Sequence, residues 1–414
     1  MKRRIAVGGL ALMLALSACS PSENGEESST VVSEVETSGE ESSHEEVHIQ
    51  DLGNLPAYGQ GEMIQGNDGN EYYRNTGTFY NTFDTVIQIT LYTENEEEFK
   101  RLFELAQDEF LRLHKLYNQY DAFDGINNVR TINEKAGQEP VVVDEDLFSL
   151  IQFSIDFHDA TLGKTNIAMG PVLRLWHDAR EHVGYFADGK TVEGSAGEGN
   201  VTGIPSKEQL EEANQFTDIR KVILDEEAKS VYLEEAEMSL DVGAVAKGYG
   251  TEIVAQKLQE EGLAHGLISA GGNIKAIGDK PLENSDWVVG IMHPNLDIST
   301  PITVVQMPPS QSMVTSGDYQ RFFEVDGVKY HHIIDPLTLM PGPYYPSVSV
   351  MVEDSGLADM LSTSLFLSTR EETEEIIRNI EEMTDEEVEV IWIDFDYEIE
   401  TTDGIGDRVH HSDL

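Results

Sequence analysis

The stretch Ser239-Leu240-Asp241-Val242-Gly243-Ala244-Val245-Ala246-Lys247-Gly248-Tyr249-Gly250 passes from an apolar run, through an Asp and a Gly, into a helix-forming segment. Its spacing predicts a short strand that leads into a helix ending at Gly262. An Asp and a Gly at such a junction bring backbone N–H groups to where an anion can approach. Lys247 falls in the opening helical turns, where it reaches a phosphate as a point charge.

Working outward, Val222-Ile223-Leu224 and Val231-Tyr232-Leu233 read as a hairpin around Asp225–Lys229, and Thr85 to Tyr92 alternates as a strand. Thr93-Glu94-Asn95-Glu96 has the form of a capping box, and Phe99, Leu102, Phe103, Ala106, Phe110, Leu113 and Tyr117 follow with helical spacing. Leu147, Leu150, Ile151 and Ile155 predict a second helix behind Asp144. Gly184 to Gly203 is glycine-rich and reads as a surface loop. Further strands are expected at Leu267–Ser269, Trp287–Met292, Ile302–Gln306, Gln320–Val325, Val328–Ile334, Val348–Val352 and Val390–Phe395, with Asp326-Gly327 as a hairpin turn. Strand runs interspersed with a few helices indicate an α+β domain, and no repeat at solenoid spacing is present.

Three more clusters carry chemistry. Ser269-Ala270-Gly271-Gly272-Asn273 follows an apolar strand, and its paired glycines permit positive φ or close backbone approach. Its spacing is neither that of a Walker loop nor that of a GxGxxG fingerprint. Thr315-Ser316-Gly317-Asp318-Tyr319 is followed, across the hairpin, by His331-His332-Ile333-Ile334-Asp335-Pro336. Adjacent histidines on a strand point to opposite faces, so at most one enters a given site. In Asp359-Met360-Leu361-Ser362-Thr363 the Asp, Ser and Thr oxygens share one helical face and can converge on a hard cation. A polar stripe on an otherwise buried helix is the plainer alternative.

The composition bounds the rest. The chain has 414 residues, 27 Lys+Arg and 77 Asp+Glu, for a formal net charge of −50. That balance argues against nucleic acid, which requires clustered cations. It suggests a soluble body kept apart by self-repulsion. The single cysteine, Cys19, excludes a disulfide framework, an iron–sulfur cluster and a Cys-based zinc site. Lys-Arg-Arg at positions 2–4, the apolar run Ile5–Leu16 and small residues before Cys19 describe a secretory signal too short to span a bilayer comfortably. Leu16-Ser17-Ala18-Cys19 is similar to the bacterial lipobox, which implies lipidation of Cys19. From Ile5 to Tyr73 there is no Lys or Arg, and Ser20–Gln50 is rich in Ser, Glu, Gly and Thr, as expected of a disordered acidic tether.

Taken together and in order, these pieces resemble the ApbE family of FAD:protein FMN transferases, from about Thr76 to Phe395. Phe83-Asp84-Thr85 stands at the family's Met-Gly-Thr position, and Leu116–Tyr120 at its Ser-Thr-Tyr region leading to Asn133. Asn166-Ile167-Ala168-Met169-Gly170-Pro171 through Leu175-Trp176 matches its Asp-Ile-Thr-Val-Gly-Pro-Leu…Leu-Trp run. The Asp241–Tyr249 segment, the Gly271-Gly272 turn, Thr315-Ser316-Gly317, His332-Ile333-Ile334-Asp335-Pro336 and the Asp359…Thr363 helix complete the series. The resemblance departs at Asn166 for Asp, Ala168 for Thr and Thr338-Leu339 for Thr-Gly.

The N-terminal pattern implies a signal peptide (1–18) and a lipidated Cys19 with an acidic linker (19–75), and the resemblance implies a single domain of mixed sheets with packed helices (76–414). It implies FAD contacts at Phe83, Tyr120, Lys164, Thr165, Asn166, Asp241, Lys247 and Ile333. It implies a Mg²⁺ site from the main-chain oxygen of Ala244 with Asp359, Ser362 and Thr363. His332 or Asp241 would accept a proton while a threonine hydroxyl of a partner protein takes FMN from FAD and AMP leaves. The partner would be a flavoprotein of an extracytoplasmic electron-transfer system, met at the cell membrane through the lipid anchor. The alternatives are an FAD pyrophosphatase, in which water replaces the threonine, and a flavin- or solute-binding lipoprotein without catalysis.

Overall fold

The computed structural model describes residues 57–183, 185–187, 190–192, 203–282 and 284–411. The expected signal peptide, Cys19 and the acidic run to residue 56 lie outside them.

Thr85–Thr93 forms the strand that its alternation predicts, and pairs antiparallel with Glu71–Thr82 on one side and His265–Ala270 on the other. An antiparallel ten-stranded sheet grows from this pairing. Its order is Ala57–Tyr58, Glu71–Thr82, Thr85–Thr93, His265–Ala270, Asn273–Ile277, Ser312–Gly317, Ser347–Val352, Glu389–Ile393 and Ile399–Thr401, with Glu62–Gln65 also on Glu71–Thr82.

Both faces are covered, and the strand period decides which residue serves which face. Val348, Val350, Val390 and Trp392 pack with Leu361 and Leu365 of the Ser355–Phe366 helix and with Ile376 and Ile380 of the Arg370–Thr384 helix. Their strand neighbours Met351, Ile391 and Ile393 face Trp287, Val289 and Val305 of a three-stranded sheet on the other side. The Glu96–Tyr117 helix buries Phe99, Leu102, Phe103, Phe110 and Leu113 together with Ile87, Ile89 and Leu91. The Ala246–Glu260 helix runs between it and the Ser355–Phe366 helix.

The structure corrects several sequence expectations. Ordered chain begins well before residue 76: Ala57–Tyr58, Glu62–Gln65 and the first part of Glu71–Thr82 are strands. Tyr58 and Tyr73 set their rings edge-on against Phe99, which anchors a segment whose polarity had suggested linker. The first helix is capped by Asn95, not Thr93: Asn95 accepts from Glu98 N–H, and Glu98 reaches back to Glu94 N–H. No strand precedes the helix at residue 246. Leu240 N–H and C=O are both held by the Asn133 amide, and Asp241 N–H by the Ile167 carbonyl, so the backbone is satisfied without a ladder. The expected loop at Gly184–Gly203 opens as a hairpin, Tyr185–Ala187 with Lys190–Val192, beside Arg321–Val325; residues 193–202 lie outside the described set. The strand expected over Val328–Ile334 stops at His331. Asn273–Ile277 and Ser312–Gly317 are strands that alternation missed, the first because all of its residues are buried.

Candidate active site

The register of the main sheet aligns two turns at one end of its strands. Phe83 and Asp84 form the turn between the paired strands Glu71–Thr82 and Thr85–Thr93, both with positive φ (52° and 50°). Gly271 and Gly272 form the next turn (φ 57° and 96°), joined by Gly271 N–H to the Val86 carbonyl and by Thr315 N–H to the Gly272 carbonyl. A Cβ on Gly271 would lie 2.1 Å from Thr85 Oγ1, so this position requires glycine for space as well as for φ. Glycine relieves the strain at the second turn, whereas Phe83 retains it, its ring packed against Phe110, His114 and Tyr117 and its N–H donated to His114 Nδ1.

The second element is the crossing of the Ala246–Glu260 and Ser355–Phe366 helices. A Cβ on Gly248 would lie 2.1 Å from the Ser355 carbonyl, so only glycine allows this approach. The approach places the buried Asp359 carboxylate at the helix start: Oδ2 accepts from Gly248 N–H at 2.8 Å, and Lys247 Nζ lies 3.5 Å from Oδ1. Gly248 N–H is thereby diverted from the Ala244 carbonyl four residues earlier, which accepts no hydrogen bond among the described residues. Ser316 and Ser362 hydroxyls meet at 2.9 Å and tie the end of the Ser312–Gly317 strand to this cluster.

The third element is the histidine pair. His331 is buried; its Nδ1 accepts from Ile333 N–H, its Nε2–H donates to the Gly342 carbonyl, and its ring meets Phe366 edge-on. His332 is the more exposed residue of the pair. Its Nδ1 lies 3.2 Å from the Arg321 carbonyl, an acceptor only, so Nδ1 carries the proton and Nε2 presents a lone pair. Desolvation by the protein around it, then the guanidinium charges of Arg321 and Arg180, holds this ring well below the usual histidine range, and so neutral.

The sequence profile of the ApbE family matches residues 83–392. The chain belongs to the ApbE family. It is 33% identical over 291 residues to the FAD:protein FMN transferase of Treponema pallidum (67% of this chain, 74% of that protein). It is 31% identical over 283 residues to that of Klebsiella pneumoniae (68% and 78%). Among solved structures, the ApbE protein of Thermotoga maritima superposes with a TM-score of 0.67 at 26% identity, covering 81% of this chain and 99% of that one. The mixed-sheet fold and the family expected from the motifs both stand.

Not every position singled out by the ApbE resemblance offers its side chain to the cleft. Lys164 is buried and paired with Asp335 (3.5 Å) and Glu372 (3.2 Å), so its ammonium is committed to the interior. Thr165 Oγ1 donates to the Met360 carbonyl and meets Ser364 Oγ at 2.6 Å, again inward. Ile333 belongs to the core with Val314, Val348 and Phe366. Ser362 donates to the Asp359 carbonyl besides meeting Ser316, so its hydroxyl is spent within the protein. At these four positions the side chains are engaged within the protein.

Asn166 caps a short helical turn by accepting from Ala168 N–H and donates to the Thr217 carbonyl. It also lines a cavity of about 410 Å³ with His158, Leu162, Gly163, Pro336 and Leu337. Asp241 accepts from Gln119 and from Gly243 N–H, which makes it the brace of the loop before Ala244. Tyr120 is exposed, its ring tilted against that of His177 at 5.7 Å. Thr363, one turn beyond Asp359, remains partly exposed.

Sequence reasoning passed over Arg321, which reaches Asp84 from beside His332, and gave no role to the buried Asn273, whose Nδ2 has no acceptor among the described residues. Nothing local marks Arg321, because its importance lies in contacts with residues distant in sequence.

Proposed function

We propose that this protein transfers FMN from FAD to a threonine hydroxyl of an acceptor protein, releasing AMP, with Mg²⁺ bound at the crossing of the Ala246–Glu260 and Ser355–Phe366 helices. The observation that carries the reading is the Asp359–Gly248 contact, because it leaves the Ala244 carbonyl without a donor beside a buried carboxylate. No group of three or more His, Cys, Asp or Glu among the described residues could hold a metal. A cation here therefore draws on mixed hard oxygens, which suits Mg²⁺ with substrate phosphate and water completing its shell. Asp359, the Ala244 carbonyl and the Thr363 hydroxyl fit that donor set. The ion, when bound, supplies charge neutralisation for a diphosphate on which cleavage builds negative charge.

The chain's own residues do the rest by alignment and electrostatics. Lys247 adds a positive charge next to Asp359, within a chain whose overall charge repels an anionic substrate. Phe83, held on its strained turn, offers an aromatic face for the flavin end. Nε2 of His332 accepts the hydroxyl proton as the acceptor oxygen forms its bond to the FMN-side phosphorus and the bond to AMP breaks. The lipobox-like sequence before Cys19 supports a lipid anchor that holds the domain outside the cytoplasmic membrane, near membrane-borne acceptors of an electron-transfer system.

The test is incubation with FAD, Mg²⁺ and a candidate acceptor, followed by a denaturing gel for covalent flavin fluorescence and chromatography for AMP. Fluorescent acceptor with stoichiometric AMP is expected. Free FMN and AMP without labelled protein would replace transfer by hydrolysis, and the absence of AMP would leave a binding protein.

A further inference from the structure

The Arg321 residue touches two parts of the site with two different groups. Its carbonyl accepts from both the backbone N–H and Nδ1 of His332, at 3.2 Å each. Its guanidinium donates to the Asp84 carbonyl at 3.1 Å, across 237 positions of sequence. That carbonyl belongs to the Phe83–Asp84 turn, where two non-glycine residues hold positive φ. Such a turn persists only when its surroundings over-determine it.

We propose that Arg321 is the positioning residue of this site: its carbonyl sets the His332 tautomer, and its guanidinium locks the Phe83–Asp84 turn against the segment that carries His332. The inference deepens the transferase reading and rests on it for the role of His332. The arrangement joins the proton acceptor and the aromatic turn into one unit, so the distance between flavin end and base does not depend on either loop alone. Behind desolvation, the charge of Arg321 adds to that of Arg180 in keeping the His332 ring neutral. Asp84 lies on the turn that Arg321 grips, and its side chain is exposed. A base that must accept a proton near neutral pH is served by both effects: the free lone pair is on Nε2, and protonation from solvent is disfavoured.

The experiment compares wild type, Arg321→Lys and Arg321→Met, each checked for folding by circular dichroism. ¹⁵N-edited NMR of the histidine rings, without substrate, should show His332 protonated at Nδ1 in the wild type. The His332 titration should move to higher pH in Arg321→Met and stay near wild type in Arg321→Lys. Transfer should fall by about tenfold to a hundredfold in Arg321→Met, as for a misplaced reacting group, with a smaller loss in Arg321→Lys. An Nε2–H tautomer, or a His332 titration unmoved in Arg321→Met, overturns the proposal. Because the NMR readout needs no turnover, a shifted titration in a protein that transfers no flavin would instead sink the transferase reading and leave the positioning role intact.

Discussion

Gly248 gives its N–H to Asp359 instead of to the carbonyl of Ala244, and this one exchange links helix packing to chemistry. The glycine has no Cβ to keep the two helices apart, so the carboxylate enters the first turn of the neighbouring helix. A backbone oxygen is released in the same act.

Asp359→Ala should abolish Mg²⁺-dependent transfer, and chelation of Mg²⁺ should abolish it in the wild type. The variant also leaves Gly248 N–H buried without its partner, at a cost of about 1–3 kcal/mol. Calorimetric Mg²⁺ titration and urea unfolding report the two effects separately; wild-type turnover in Asp359→Ala would refute the metal assignment.

Gly248→Ala tests the packing itself. The added methyl would sit 2.1 Å from the Ser355 carbonyl and 2.5 Å from Asp359 Cβ, so the helices must separate. Destabilisation by about 1–3 kcal/mol is expected, as for overpacked cores, together with loss of transfer. Urea midpoints and the gel assay would show whether the two losses coincide.

Lys164→Met should behave as a stability variant. It strands Asp335 in the interior, and breaking a buried pair costs about 3–5 kcal/mol. Adding Asp335→Leu should recover much of that loss. FAD affinity, measured by fluorescence quenching in the folded double variant, should stay within about threefold of wild type; a loss of tenfold or more would restore Lys164 to the flavin contacts.

The pH dependence of stability has a separate source. Burial, then the nearby Glu252 carboxylate, pushes the Asp354 carboxyl up to about 6. An acid whose folded pKa is raised binds its proton more tightly when folded, so its contribution is present below about pH 4 and is lost as pH rises through 6. Asp354 caps the Ser355–Phe366 helix by accepting from Leu357 N–H, a task Asn performs equally well. Asp354→Asn should therefore be more stable than wild type at pH 7.5 by about 1–3 kcal/mol. Its unfolding free energy should no longer decline between pH 4 and 6. An unchanged decline would place the titration elsewhere.

Transfer itself should resist acid. Because His332 is held below the usual range, kcat/KM should stay level as pH falls through 6.5 and drop only at lower pH. His332→Asn should remove that acid limb along with most of the activity. A half-maximal point at or above 6.5 would contradict the arrangement.

Much of this was legible in the chain. The helix of Phe99 to Tyr117, the hairpins at Asp225–Lys229 and Asp326-Gly327, and the helix carrying Asp359 formed as their periodicity and turn residues require. Those are local properties, governed by contacts three or four residues apart or by φ at single positions. The strand Asn273–Ile277 escaped because a strand buried on both faces shows no alternation. The early strands escaped because their own polar composition gives no hint that Tyr58 and Tyr73 will find an aromatic partner in Phe99 on the next helix.

The sequence by itself determined the α+β class, the order of the motifs and the candidate residues for the metal and the base. Only the tertiary structure decided which of those side chains face outward. Thr165 spends its hydroxyl on a residue 195 positions away, Lys164 its charge on Asp335, and Arg321 its guanidinium on Asp84. Burial and pairing are properties of distant chain segments brought together, and no periodicity within a segment encodes which partner will satisfy a polar group.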